Sequence, residues 1–253
     1  MANQAMRSTD RIKNITFLVI AILTIGVAFG VEMIVNPPEA RPFDLLPTLL
    51  RGLAVTIELT LGGAALAFLV AMLVGIARSS NSILIRGVSG FYVEVFRGTS
   101  VLVQMFWIFF VLPLPPFEIT LTPMQAGILA LGLNVGAYGA EVVRGAIKAT
   151  PRGQIEAATA LNMSRSLMLR RVIVPQALTR ILPPFGNLLI ELLKATALAS
   201  LITLSDVTLR ALTLRQTVGR TAEIFSVLLV IYFLIAYPLT LGVRWIERRR
   251  QWG

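Results

Sequence analysis

The chain contains no cysteine and no histidine. Without cysteine there is no disulfide and no thiolate metal site. Without histidine the usual general base and the commonest metal ligand are both missing. Charge is sparse, at 14% of residues, and the carboxylates are not clustered. No catalytic constellation can be assembled from what remains, which argues against a membrane-bound enzyme. A phosphate-cradling G-x-x-x-x-G-K-[ST] segment is absent as well, so the chain has no nucleotide site of that type. What is abundant is apolar surface: 56% of residues are hydrophobic and the mean hydropathy is +0.78. Those values indicate a polytopic membrane protein. A net charge of +10 on its own suits nucleic acid, but the basic residues gather at the ends of apolar segments, as the positive-inside rule expects, which argues against it. The first apolar segment is full length and lacks a small-residue cleavage site, so no removable signal peptide is expected.

Read in order, the chain predicts six spans with both termini cytoplasmic. A basic tail, Met1 to Asn14, leads into Ile15 to Val35, which Asn36-Pro37-Pro38 ends. The second span runs from about Gly52 to Ala77 and carries Glu58, read as lying near the outer interface. A short basic link, Arg78 to Gly87, precedes a third span, Phe91 to Leu112, interrupted at Gly98-Thr99-Ser100. Broken helices at membrane depth occur where backbone faces protein or a water-filled cavity. The fourth span, Met124 to about Val143, carries Asn134, Tyr138 and Glu141, and the fifth, about Pro184 to Leu204, carries Glu191 and Lys194. Glu94 and Arg97, Glu141 and Arg144, and Glu191 and Lys194 are each three apart, and each pair is expected to meet on one helix face. The last span runs from Glu223 to about Trp245. The loop Ser205 to Arg220 is expected outside, although its three Arg run against the charge rule.

The stretch Gln154 to Pro175 organises the cytoplasmic side. Gln154 to Met163 is rich in helix formers, with Ile155, Ala158 and Leu161 on one stripe and Glu156 in its first turn or so. Asn162 tolerates a left-handed turn. A second amphipathic run follows and is expected to end where Pro175 withdraws a backbone donor. By periodicity alone this is equally a basic cytoplasmic loop with two surface helices.

Spacing adds to that reading. Glu156-Ala157-Ala158, three residues, Asn162, nine residues and Val172-Ile173-Val174-Pro175 resembles the EAA loop of ABC importer permeases, where Asn162 stands for a family Gly. Thr56 to Thr60, Phe96 to Gln104, Ala140 to Gly145 and Leu193 to Leu198 resemble further segments of the polar amino-acid permeases, in the same order. Ser100 replaces a family Pro, so no sharp kink is expected there.

The resemblance implies an all-α integral membrane fold of type I ABC importer kind, with about six transmembrane helices and a cytoplasmic coupling helix. It assigns 1–45 to a tail and an extra helix, and 46–253 to the transport domain with its coupling loop at about 145–180. It implies a permease subunit of the bacterial inner membrane that imports a polar amino acid or related compatible solute. The implied partners are a cytoplasmic ATP-binding subunit dimer, a periplasmic solute-binding protein, a second permease subunit, identical or paralogous, and membrane lipid. The chain itself would hold no cofactor or metal and catalyse nothing, ATP being bound by the partner. Glu156, Ala157, Ala158, Asn162 and Arg165 would couple to the ATPase. Glu94, Arg97, Gln104, Asn134, Tyr138, Glu141, Glu191 and Lys194 would line or brace the passage. A stand-alone ion-coupled secondary transporter, using Glu58, Glu141 or Glu191 as carrier, is the alternative.

Overall fold

The computed structural model describes residues 45–250, with side chains for all of these except 165, 166 and 246–250. The expected first span, Ile15 to Val35, lies outside the described residues. Helix α1 is Leu46–Ala77 (32 residues), with a proline in its first turn, where a missing N–H costs nothing. Its buried positions are Leu49, Gly52, Thr56, Leu59, Gly63, Ala67, Ala71 and Gly75, a helical stripe made mostly of small residues. Helix α4, Pro123–Lys148, receives this stripe from Leu59 onward, while Leu49, Gly52 and Thr56 pack towards the C-terminal helices. It starts at a capping box formed by Thr122 and Gln125. In α4, 67% of the apolar window is buried, against 28% in α1, so α4 is the central post. A Cβ added at Gly75 would lie 2.5 Å from Val143 Cβ and 2.8 Å from the Ala140 carbonyl. The two backbones approach closely because glycine is there.

Between α1 and α4 lies the broken element. Helix α2, Ile83–Gly98, and helix α3, Val101–Phe106, are followed by one π turn, Trp107–Val111. The two limbs are bent by 103°. This corrects two expectations. The helical segment begins at Ile83, not Phe91, so the polar link shortens. The bend is also sharp despite Ser100, since Thr99 and Ser100 both adopt extended backbone. No proline is needed once side chains take up the freed carbonyls, as they do here.

Beyond α4 come α5, Arg152–Ala160, and α6, Arg165–Met168. A π turn, Leu169–Ile173, then joins α6 to α7, Val174–Ala195, which tightens into a 3₁₀ segment, Thr196–Ile202. Pro175 therefore does not stop a helix: it occupies the first turn of α7. The fifth span starts well before Pro184 and is continuous with the second half of the cytoplasmic loop, over Leu169–Ile202. Helix α8, Val207–Val218, is a non-spanning helix between α7 and α9, Thr221–Arg250. Four helices are long and apolar enough to cross a membrane, and the bent pair makes five among the described residues. One apolar core joins α1, α3, α4 and α7, and a smaller one joins α1, α8 and α9.

Candidate functional site

At the break, the amides of α3 and α4 replace the helical hydrogen bonds that the bend removes. Gln104 Nε2 donates to the carbonyls of Phe96 (2.9 Å) and Thr99 (3.3 Å) and to Thr99 Oγ1 (2.7 Å). Asn134 Nδ2 donates to the same Phe96 carbonyl at 2.8 Å and to Gln104 Oε1 at 3.2 Å. Tyr92 Oη donates to the Leu133 carbonyl at 2.6 Å, which pins α2 to α4. Tyr138 Oη reaches the Arg97 carbonyl at 3.4 Å, and the Arg97 guanidinium lies 5.1 Å from the Tyr138 ring centroid. A largely apolar cavity of about 510 Å³ opens beside this cluster, lined by Phe96, Thr99, Gln104, Trp107 and Leu133 among others. The structure thus brings together Arg97, Gln104, Asn134 and Tyr138.

The expected charge pairs fare unevenly. Glu141 does pair with Arg144, Nη2 to Oε2 at 2.6 Å, and also with Arg78, Nε to Oε1 at 2.8 Å. Glu94 and Arg97 do not form an ion pair, and neither do Glu191 and Lys194; all four are exposed on the isolated subunit. A spacing of three permits contact but does not enforce it, and Arg97 turns to the Tyr138 face instead. Arg78, Tyr92 and Arg180 were not anticipated. Arg78 had a signal, as the first residue after a span, but its partner on α4 is distant in sequence.

In the loop after α4, Arg180 Nη1 donates to the Ala149 carbonyl at 2.7 Å and ties the loop's start to α7. Helix α5 begins at Arg152, two residues before the expected start, so Glu156 falls in the second turn, not the first. Asn162 has φ 53°, the left-handed conformation expected of it. Met163 N–H closes on the Ala158 carbonyl at 3.1 Å, which ends the helix in the Schellman manner. The apolar stripe is not uniform: Ala158 is 3% exposed and packs with Met168 and Ile173, whereas Leu161 is 76% exposed. Glu156, Ala157 and Ala160 are exposed as well. Ala158 therefore packs on its own chain, and the outward face of α5 is made by its neighbours. Arg165 opens α6, and its side chain lies outside those described.

Residues 63–252 match the family described as binding-protein-dependent transport system inner membrane component. The chain belongs to this family. A probable amino-acid ABC transporter permease, y4tF of Sinorhizobium fredii, is 46% identical over 208 residues, 81% of this chain and 87% of that protein. The L-cystine transport system permease TcyB of Bacillus subtilis is 36% identical, over 83% of this chain and 92% of its own length. The glutamine permease GlnP of Escherichia coli is 34% identical, over 81% and 93%. A solved amino acid ABC transporter with histidines superposes with TM-score 0.75 at 32% identity, covering 84% of this chain and 100% of that one. An inward-facing MetNI methionine transporter superposes at TM-score 0.64 and 21% identity, over 80% and 98%, and shares the fold. The protein is thus an ABC importer permease subunit of type I architecture, multi-pass in the bacterial inner membrane. The ion-coupled alternative is not favoured: Glu141, one of its carriers, is held between two guanidinium groups.

Proposed function

We propose that the permease imports a polar amino acid or a related compatible solute and is driven by ATP hydrolysis on a separate subunit. Relatives whose names specify amino-acid, L-cystine, glutamine and octopine transport support the solute class. In this reading a cytoplasmic ATP-binding dimer, a periplasmic solute-binding protein and a second permease subunit, identical or paralogous, complete the transporter. Residues 46–253 are assigned to the transport domain. Arg97, Gln104, Asn134 and Tyr138 brace the wall of the passage. Glu94, Glu191 and Lys194 are exposed charges on or near spans, and they face the passage or the second permease, because a charge facing lipid is costly.

The observation that carries coupling is the two-sidedness of α5. It is anchored through Ala158 and presents Glu156, Ala157 and Leu161 outward. Asn162 sets the turn, and Arg165 starts the return. Ala157→Trp is expected to leave membrane abundance normal while abolishing ATPase-subunit co-purification and uptake. Ala158→Trp is expected to lower abundance, since overpacking a filled site costs about 1–3 kcal/mol. Full uptake by Ala157→Trp with the ATPase subunit still bound would remove α5 as the docking element.

A further inference from the structure

Beside α5 lies a second cavity, of about 670 Å³, separate from the one at the broken helix. Four cationic side chains line it: Arg78 at the end of α1, Arg86 in α2, and Arg144 and Lys148 in the last two turns of α4. Its lining contains no carboxylate. Among the described residues, the one acid paired with these cations is Glu141, which is spent on Arg78 and Arg144 together. The other wall belongs to the coupling loop, through Ile155 of α5 and Met168 of α6.

The cations differ in how they are held. Arg78 is fixed: Nε lies on Glu141, and Nη1 lies 2.9 Å from where a Cβ on Gly90 would sit, so glycine there makes room for the guanidinium. Arg144 uses Nε and Nη2 on Glu141. Each guanidinium carries five N–H donors, so both retain unused donors. Arg86 and Lys148 are exposed and pair with no acid among the described residues. Two oriented forks and two free cations around one recess match a ligand with several anionic oxygens. The recess lies at the C-terminal ends of α1 and α4, which the positive-inside rule puts on the cytoplasmic side, where basic pockets between spans take up anionic lipid.

We propose that this recess binds a phosphate-bearing anion, and that the bound anion ties the α1–α2 turn to the coupling loop. The source is either an anionic phospholipid headgroup of the cytoplasmic leaflet or a soluble polyphosphate. The inference does not depend on which solute is carried or on where the ATPase docks.

Titration calorimetry on the full chain in non-ionic detergent tests it. The probes are dioctanoyl phosphatidylglycerol, its phosphatidylcholine counterpart and inorganic pyrophosphate. Phosphatidylglycerol is expected to bind, and phosphatidylcholine to bind at least tenfold more weakly. The double variant Arg86→Gln with Lys148→Gln removes two exposed cations and no packed atom. It should weaken binding roughly 30-fold, the loss expected for two basic residues at a membrane surface. Arg210→Gln with Arg215→Gln on α8 removes the same charge from a helix that does not line the recess and should change binding by less than about threefold, since exposed charges away from a site are screened. Pyrophosphate binding with the same variant pattern, in place of phosphatidylglycerol, would assign the site to a soluble anion. Absence of binding by both anions, equal binding of phosphatidylcholine, survival of binding in the Arg86/Lys148 variant, or an equal loss in the Arg210/Arg215 variant would overturn the proposal.

Discussion

The Phe96 carbonyl is the most exacting point of the broken span. The 103° bend removes its helical partner, and two amides replace it, Gln104 Nε2 at 2.9 Å and Asn134 Nδ2 at 2.8 Å. In either Gln104→Leu or Asn134→Leu, the carbonyl keeps one donor. In the double variant it keeps none. Side-chain hydrogen bonds between membrane helices average about 0.6 kcal/mol and reach about 1.7, so each single change should cost about 1–2 kcal/mol. An orphaned carbonyl adds about 1–3 kcal/mol when both are lost. Against this stands the 3.2 Å bond between the two amides, which summing the singles counts twice; it is long, and worth about 0.6 kcal/mol. The shared-acceptor effect is the larger, so the double variant should cost about 1 kcal/mol more than the sum. Reversible unfolding in mixed micelles of increasing SDS fraction, followed by circular dichroism, measures all four corners of the cycle. A double variant equal to or milder than the sum would refute the claim that these amides jointly replace the broken helical bond.

Two further predictions concern the frame. Gly75→Ala should lower the melting temperature, because its Cβ would fall 2.5 Å from Val143 Cβ against rigid α4 backbone. Gly87→Ala has nothing within 4 Å and should be neutral or raise it, since Ala is the better helix former by up to about 1 kcal/mol; melting of both variants in one detergent makes the comparison. Asp206 caps α8 by accepting from the Leu209 N–H at 2.8 Å, and burial pushes its carboxyl above the ordinary aspartate value. A raised native value means that the folded state binds the proton more tightly. The Asp206 contribution is therefore fully present below the ordinary aspartate range and is lost as pH rises through the elevated native value. Hydrogen exchange of α8 amides across the acid range should show this slope in the wild type and a flat profile in Asp206→Asn.

Much of this architecture was legible from residues alone, and the failures share a cause. Apolar runs and flanking Arg located the spans, Asn162 marked the left-handed turn, and Glu141 met Arg144 as spacing suggested. Asn134 and Tyr138 are visible as polar groups on an apolar span, Gln104 only through the family resemblance, and the three converge on the break. Spacing along one helix cannot register a competitor on another, so it pairs Glu94 with Arg97, whereas Arg97 turns to Tyr138. The same blindness hid Arg78 as the second partner of Glu141. Pro175 reads equally as a stop or as a first-turn residue, and the π turn before it leaves no mark in composition. Periodicity likewise gives α5 a stripe but not its direction, and it does not show that Ala158 packs on Met168.

The central claim is that this chain is the membrane-spanning half of an ATP-driven importer and not a carrier in its own right. Reconstitution into proteoliposomes with its ATP-binding subunit and solute-binding protein, with labelled amino-acid uptake as the readout, tests it directly. Uptake should require enclosed ATP together with both partners and should persist when a protonophore collapses the ion gradient. Uptake by the permease alone, driven by an imposed proton or sodium gradient without ATP, would contradict the account.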